Sequence, residues 1–234
     1  MLKIQEDCFW KMIDIFDELN ILPNIMIIGS WAEYLFPSLF NTDFFPNIHT
    51  RDVDLFYRNI NIPNEKIFLI DKLKENGFIY DEVDGISKFY KEDILELEFL
   101  TRLLGSGENN ILNIKSLGIK SEGLRVINIL HNFPCEITTK GTNGKEYLLT
   151  IPEPAVYVIQ KILTNPIRQP LNKRQKDINS VKELLYHIEK NEYHLKKLKD
   201  VYNSLSKKQL KILDSVCNDN NINLYKLINI KFWF

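Results

Sequence analysis

The sequence predicts an α+β fold, in which a mixed β-sheet with flanking helices is followed by an all-helical C-terminal part. Short apolar runs and segments of alternating polarity recur up to residue 151, and both patterns are typical of strands. Pro152 and Pro154 then mark a change to helical periodicity. We therefore predict an α/β domain over residues 1–151 and a basic helical domain over residues 152–234.

The composition is that of a globular protein. The 234 residues are 44% hydrophobic and 12% aromatic, which is enough to build a sizeable core. A formal net charge of -1 gives no global attraction to nucleic acid or to an anionic membrane. Three scattered cysteines are too few for a disulfide framework or a zinc cluster. With no apolar leader and no run of about 18 apolar residues, we expect a cytoplasmic location and no membrane contact.

The first elements follow from apolar spacing and from breakers. Apolar residues at helical spacing predict a helix over residues 5–19. An uninterrupted apolar run predicts a buried strand over 25–28, after which Gly29-Ser30 turns the chain into a helix over 31–35. Prolines and aromatic residues predict an irregular insert or lid over 36–49.

The next elements complete the predicted sheet. A helix bounded by Pro63 and Gly77 is expected over 64–76. Asp84-Gly85 and Asn143-Gly144 are hairpin turns, because these residue types tolerate positive φ. The strands predicted in this part of the chain cover residues 51–57, 78–83, 87–91, 93–101, 124–130, 135–138 and 146–151.

Carboxylates on two of these strands form the strongest candidate site. Asp52 and Asp54 are two residues apart, so they project from the same face of their strand. Like charges side by side are unfavourable, and a hard divalent cation held by oxygen ligands commonly relieves the repulsion. Alternation in 93–101 offers a third carboxylate, Glu98 or, as the weaker choice, Glu96.

Gly29 and Ser30 are the candidate phosphate-binding turn. Gly29 lets the backbone approach a phosphate closely, and Ser30 offers a hydroxyl and an amide as donors. A simpler interpretation also stands, in which Asp-x-Asp is a solvated strand edge and Gly-Ser is only a turn.

The helical part is basic. Helices are predicted over 154–163, 173–189, 193–205 and 207–217. Residues 168–211 hold 12 Lys and Arg against 5 Asp and Glu, a balance of +7 that leaves -8 for the rest of the chain. Such a surface suits a triphosphate or an RNA backbone, although a merely solvated basic face has the same composition.

The order of these motifs resembles the nucleotidyltransferase superfamily with the polymerase-beta-like fold. The resemblance rests on the apolar strand, Gly29-Ser30, the Asp52-x-Asp54 strand and the later acidic strand. The stretch in which Pro-Glu-Pro-Ala precedes a helix bearing Lys161, followed by Arg168, Lys173 and Lys176-Asp177, is similar to a bacterial family of uncharacterised nucleotidyltransferase-fold proteins. The likeness covers roughly residues 20–190.

The resemblance implies a role for each motif. Asp52, Asp54 and Glu98 would bind two Mg²⁺ ions, with Mn²⁺ as the alternative metal. Gly29 and Ser30 would hold the nucleotide phosphates. Lys161, with Arg168 and Lys173 beyond it, would neutralise those phosphates, although Lys161 could equally be an exposed residue of an amphipathic helix. Asp177 would orient a basic neighbour or cap a helix turn.

These roles predict a magnesium-dependent transfer of a nucleoside monophosphate from an NTP to a hydroxyl acceptor. The acceptor stays open between RNA, such as a tRNA end in a toxin–antitoxin system, a protein hydroxyl and a small molecule. A second hypothesis keeps the fold as a non-catalytic module that binds a nucleotide or a partner protein, because Glu98 stands where the superfamily frequently has Asp. A third is an RNA-binding protein that uses only its basic helices.

Overall fold

The computed structural model describes residues 3–40, 50–105 and 110–229. The chain divides into two compact units, Met1–Pro152 and Glu153–Phe234. The first unit combines a mixed sheet with helices and the second consists of helices, so the predicted α+β fold class is confirmed.

Nine strands of the described residues form one sheet in the first unit. Their bounds are β1 Ile25–Ile27, β2 Asp52–Tyr57, β3 Ile79–Val83, β4 Ile86–Lys91, β5 Leu95–Arg102, β6 Ile111–Ile114, β7 Ile119–Leu124, β8 Pro134–Lys140 and β9 Glu146–Pro152. The main order is β3-β4-β5-β2-β1-β9-β8, and β7 pairs with both β5 and β6. The parallel pair β2 and β5 lies at the centre of this order.

The core forms because the central strands alternate in polarity. Leu95, Leu97 and Phe99 of β5 are buried, while Glu96 and Glu98 between them remain partly accessible. The helices of this unit are α1 Lys3–Glu18, α2 Gly29–Leu35, α3 Pro37–Phe40, α4 Leu69–Glu75 and α5 Asn128–His131. The Phe16 ring of α1 lies 6.1 Å from the Phe99 ring. Helix α1 therefore packs on the face of β5 opposite to Glu98.

Most predicted elements are confirmed, including the two hairpins. Asp84 and Gly85 have φ of 52° and 78°, the positive values that the turn requires. Helix α2 begins at Gly29 instead of residue 31. Of the predicted insert or lid over 36–49, residues 37–40 form α3, and residues 41–49 lie outside the described part of the chain.

Two predicted elements are wrong. The helix expected over 64–76 begins only at Leu69, and the Ile67 backbone N–H donates instead to the Ser116 carbonyl at 2.7 Å. The strand expected over 124–130 is also absent, because β7 ends at Leu124 and Asn128–His131 forms α5.

The second unit is a set of helices. Their bounds are α6 Pro154–Thr164, α7 Leu171–Glu189, α8 Glu192–Ser204, α9 Lys207–Asp219 and α10 Leu224–Ile228. Glu153 caps α6 by accepting from the backbone N–H groups of Ala155 and Val156, and its other oxygen binds His194 Nδ1 at 2.6 Å. Among the described residues, no helix combines the length and apolar character needed to span a bilayer.

Candidate active site

Two aspartates project from one face of β2. Val53 and Leu55 are fully buried, whereas Asp52 is exposed and Asp54 is half-buried. Successive side chains of a strand point to opposite faces, so the two carboxylates share a face. The Ile28 N–H donates to the Asp54 carbonyl at 3.0 Å and holds the end of β1 next to this position.

Strand β5 places glutamates beside these aspartates. In the parallel register of β2 and β5, Asp52 pairs with Glu96 and Asp54 pairs with Glu98. Residues at matched register positions project from the same face of a sheet, so four carboxylates form two adjacent pairs. Both candidates for the third carboxylate lie on this face, and Glu98 is the one beside Asp54.

Strand β7 adds a further acidic residue that the sequence analysis did not single out. Glu122 pairs in register with Leu100, two residues beyond Glu98 on β5. Burial raises the pKa of Glu98, and Asp54, Glu122 and Glu96 act in the same direction while Lys88 opposes them. Glu98 therefore lies in surroundings that favour a bound proton or an added cation.

Lys88 supplies a positive charge within this acidic face. It lies directly across from Glu98 in the antiparallel register of β4 and β5. Its Nζ is 2.7 Å from Glu96 Oε1 and 3.8 Å from Glu98 Oε1. Burial by itself would lower the pKa of Lys88, but the hydrogen bond with Glu96 and the charge of Glu98 outweigh it and raise that pKa.

The donor set suits Mg²⁺ or Mn²⁺ in its chemistry, since both ions prefer carboxylate oxygens. Within residues 3–40, 50–105 and 110–229, no three His, Cys, Asp or Glu side chains are grouped so as to hold a metal by themselves. Mg²⁺ is commonly bound by one or two carboxylates together with substrate phosphates. The residues present therefore fit a metal that binds along with a nucleotide.

Gly29 is required where the chain passes Asp54. Its φ is +64°, a left-handed value that favours glycine. A Cβ at this position would lie 2.1 Å from Asp54 Oδ2, far closer than non-bonded atoms approach. The backbone at Gly29 thus lies directly against the Asp54 carboxylate, and Ser30 follows in the first turn of α2.

The predicted phosphate-binding cations lie in the second unit. Lys161 Nζ donates to Asp177 Oδ1 at 2.5 Å, and the two side chains are only 11% and 9% exposed. Arg168 Nε lies 3.4 Å from Asp177 Oδ2, while Lys173 is exposed on α7. Lys161 is therefore not an exposed helix residue, and Asp177 orients two basic neighbours. The role of these cations toward phosphate stays a prediction.

Sequence reasoning missed Lys88 and Glu122. The Asp84-Gly85 turn sets the β3–β4 hairpin, yet the pairing of Lys88 with Glu98 depends on the register between β4 and β5. Glu122 alternates with Ser121 and Gly123, which are buried but not strongly apolar. Its strand consequently carries little hydrophobic signal.

Comparison with known proteins identifies a family and a similar fold. A family model described as nucleotidyltransferase matches residues 10–207. The fold is similar to the crystal structure of an antigenic nucleotidyltransferase-like protein from Paracoccidioides brasiliensis, with a TM-score of 0.54 and 16% sequence identity over 98% of this chain and 94% of that one. A search among curated proteins gave no significant match.

Proposed function

This chain belongs to the nucleotidyltransferase family, and from that premise we propose that it transfers a nucleoside monophosphate from an NTP to a hydroxyl acceptor with Mg²⁺. The observation that carries the proposal is the pairing of Asp54 with Glu98 on adjacent parallel strands, directly against the Gly29 backbone. Carboxylate oxygens that can bind a metal therefore lie beside the Gly29 backbone, where a residue with a side chain would clash with Asp54.

The carboxylates have separate roles in this proposal. Asp52 and Asp54 hold the metal ions, which when bound would offset the charge of the triphosphate and of the leaving pyrophosphate. Glu98 completes the donor set and accepts the proton of the acceptor hydroxyl. Its raised pKa supports the second role, because a general base is most effective when its pKa approaches the working pH.

Backbone and basic groups hold the nucleotide. Gly29 allows close approach of a phosphate, and Ser30 donates to it. Lys161, Arg168 and Lys173 stay the proposed phosphate-binding cations of the second unit. Asp177 supports this role by holding Lys161 and Arg168 in defined positions.

For the acceptor we favour RNA, because residues 168–211 carry a local charge of +7. A protein hydroxyl and a small molecule stay as alternatives, and an action as the toxin of a toxin–antitoxin pair belongs to the same proposal. The cytoplasmic location is likewise an expectation from the cysteine content.

The experiment is a labelling reaction. The full chain is incubated with each of the four NTPs labelled at the α-phosphate, with Mg²⁺ and total cell RNA or lysate. We expect label to enter one class of acceptor, and Asp52→Asn and Asp54→Asn to abolish the transfer. Asp93→Asn is the matched control, because Asp93 is a fully exposed carboxylate that binds only Arg51 at 3.1 Å among the described residues. Unchanged labelling by the Asp54→Asn variant would refute the proposal.

One observation favours the alternative of a non-catalytic nucleotide-binding module. Lys88 already offsets part of the charge of Glu96 and Glu98 from within the sheet, so this side of the site needs less added positive charge than two carboxylates without a lysine would. Calorimetry with NTPs separates the two functions. Binding without any transfer supports the module, whereas binding with transfer supports the enzyme.

A further inference from the structure

Two arginines lie at the far end of the face that bears the carboxylates. Phe56 of β2 and Leu100 of β5 are register partners, and Arg58 and Arg102 each follow two residues later. Arg102 ends β5, so the period of two along a strand places it on the face of Glu98. Arg58 lies just past the end of β2, at the position that corresponds to Arg102. They lie roughly 13 Å beyond those carboxylates at the usual rise of a strand.

Helix α5 places His131 beside this end of the face. The His131 ring meets the Phe56 ring edge-on, with centroids 5.9 Å apart. Arg102 Nε donates to Asn128 Oδ1 at 3.1 Å, so its guanidinium is anchored to the same helix. Burial lowers the pKa of His131, and the nearby charges of Arg102 and Arg58 lower it further. The three basic side chains are thus close enough to influence one another.

The positive charge of this cluster is not balanced within the described residues. There, neither Arg58 nor Arg102 has a carboxylate within ion-pair distance, whereas Arg51 and Arg168 each have one. Arg58 Nε and His131 Nδ1 are buried and have no hydrogen-bond partner among the described atoms. By register, Glu122 is the acidic residue on this face nearest to Arg102, and it accepts from Asn110 Nδ2 at 3.3 Å.

Half-buried guanidinium groups without a carboxylate partner are costly unless an anion binds them. We infer that Arg58, Arg102 and His131 form a second anion site, which binds a phosphate group on the carboxylate face but away from the carboxylates. Planar guanidinium groups match phosphate oxygens in two-pronged hydrogen bonds, and phosphate has enough acceptor oxygens for both arginines. The phosphate is either free or part of a nucleotide chain, and the two sources differ in size rather than in the group recognised.

The site can be tested directly on the full wild-type chain. The ring signals of His131, assigned with a His131→Gln variant, are followed by NMR during titration with inorganic phosphate and with a 5′-phosphorylated dinucleotide of RNA. We expect the His131 signals to shift and saturate with phosphate but not with chloride at equal ionic strength. Tighter binding of the dinucleotide identifies a nucleotide chain as the source, and equal or weaker binding identifies free phosphate. Absence of a saturating shift with both probes would overturn the inference.

Variants separate this site from the proposed catalysis. Arg58→Gln and Arg102→Gln should each weaken phosphate binding about tenfold or more, the factor that one charge-assisted hydrogen bond provides. Arg125→Gln is the matched control, because Arg125 is an exposed arginine whose Nε donates to the Gly105 carbonyl, and it should bind like wild type. Asp54→Asn should also keep phosphate binding, so that a failure of nucleotidyl transfer leaves this result intact. Unchanged affinity in Arg58→Gln and Arg102→Gln would contradict the assignment.

Discussion

Gly29→Ala is the substitution whose effect follows most directly from the geometry of the site. The added Cβ would lie 2.1 Å from Asp54 Oδ2 and 3.2 Å from Asp54 Cγ. Normal contact then requires the carboxylate to move by about 1 Å, since unbonded carbon and oxygen atoms stay beyond about 3 Å. The clashing atom is the end of the half-buried Asp54 side chain, so the carboxylate makes room by rotating away from Gly29 rather than by moving the strand.

The expected loss of stability in Gly29→Ala has two parts. A residue with a Cβ in the left-handed region costs about 1–2 kcal/mol, and a side chain pushed off its rotamer costs about 0.5–1.5 kcal/mol. Gly118→Ala isolates the first part, because Gly118 has nearly the same φ, +66°, with no atom within 4 Å of the added Cβ. We therefore expect Gly29→Ala to lower the free energy of unfolding by about 0.5–1.5 kcal/mol more than Gly118→Ala does.

Urea denaturation of both variants measures this difference. A double-mutant cycle attributes it to Asp54. In an Asp54→Ala background the nearest remaining atom of that residue is Cβ at 3.5 Å, an ordinary contact, so the excess cost should disappear. Equal destabilisation by Gly29→Ala and Gly118→Ala would show that Asp54 does not restrict residue 29, and so would an excess that survives in the Asp54→Ala background.

Three further predictions concern the charges. Lys88→Gln should raise the pKa of Glu98, which NMR titration of Glu98 measures. It should also tighten divalent-metal binding by up to about fivefold, since a partly exposed ion pair contributes at most ~1 kcal/mol. Titration with the metal measures this second effect. Glu98→Gln should stabilise the protein at neutral pH. The folded pKa of Glu98 lies above its unfolded value, so stability falls as pH rises through that interval, and melting temperatures should show a weaker fall in the variant. Asp177→Asn should cost about 3–5 kcal/mol in urea denaturation because it leaves Lys161 buried without its carboxylate, whereas Arg168→Gln, at a half-exposed residue, should cost less than about 1 kcal/mol.

Local patterns predicted the elements whose two faces differ strongly in polarity. Alternation in β5 is complete, with Leu95, Leu97 and Phe99 buried, and that strand was identified together with its glutamates. Strand β7 was not predicted from the sequence, because its buried positions include Ser121 and Gly123, which are not strongly apolar. The apolar run over 124–130, which predicted a strand, begins at the last residue of β7 and leads into helix α5. A short apolar run does not by itself distinguish a strand from a helix.

Which residues meet at the candidate site is decided by the register between strands, and no sequence motif shows that register. Asp52, Asp54 and Glu98 lie on strands, as predicted from the sequence, and their role in a site stays a prediction. The pairing of Lys88 with Glu98 depends on the register of the β4–β5 hairpin, and the pairing of Phe56 with Leu100 joins two strands that are distant in the chain. Periodicity within one segment carries no information about such pairings, so Lys88, Arg58 and Arg102 required the sheet.

The proposed function depends on the binding of a nucleotide through Mg²⁺ at Asp54 and its neighbours. Calorimetric titration with a non-hydrolysable NTP analogue, with and without Mg²⁺, tests it most directly on wild type, Asp54→Asn and the exposed-carboxylate control Asp93→Asn. We expect Mg²⁺-dependent binding to wild type and to Asp93→Asn, and loss of that binding in Asp54→Asn. Binding that is indifferent to Mg²⁺, or equally strong in Asp54→Asn, would contradict it.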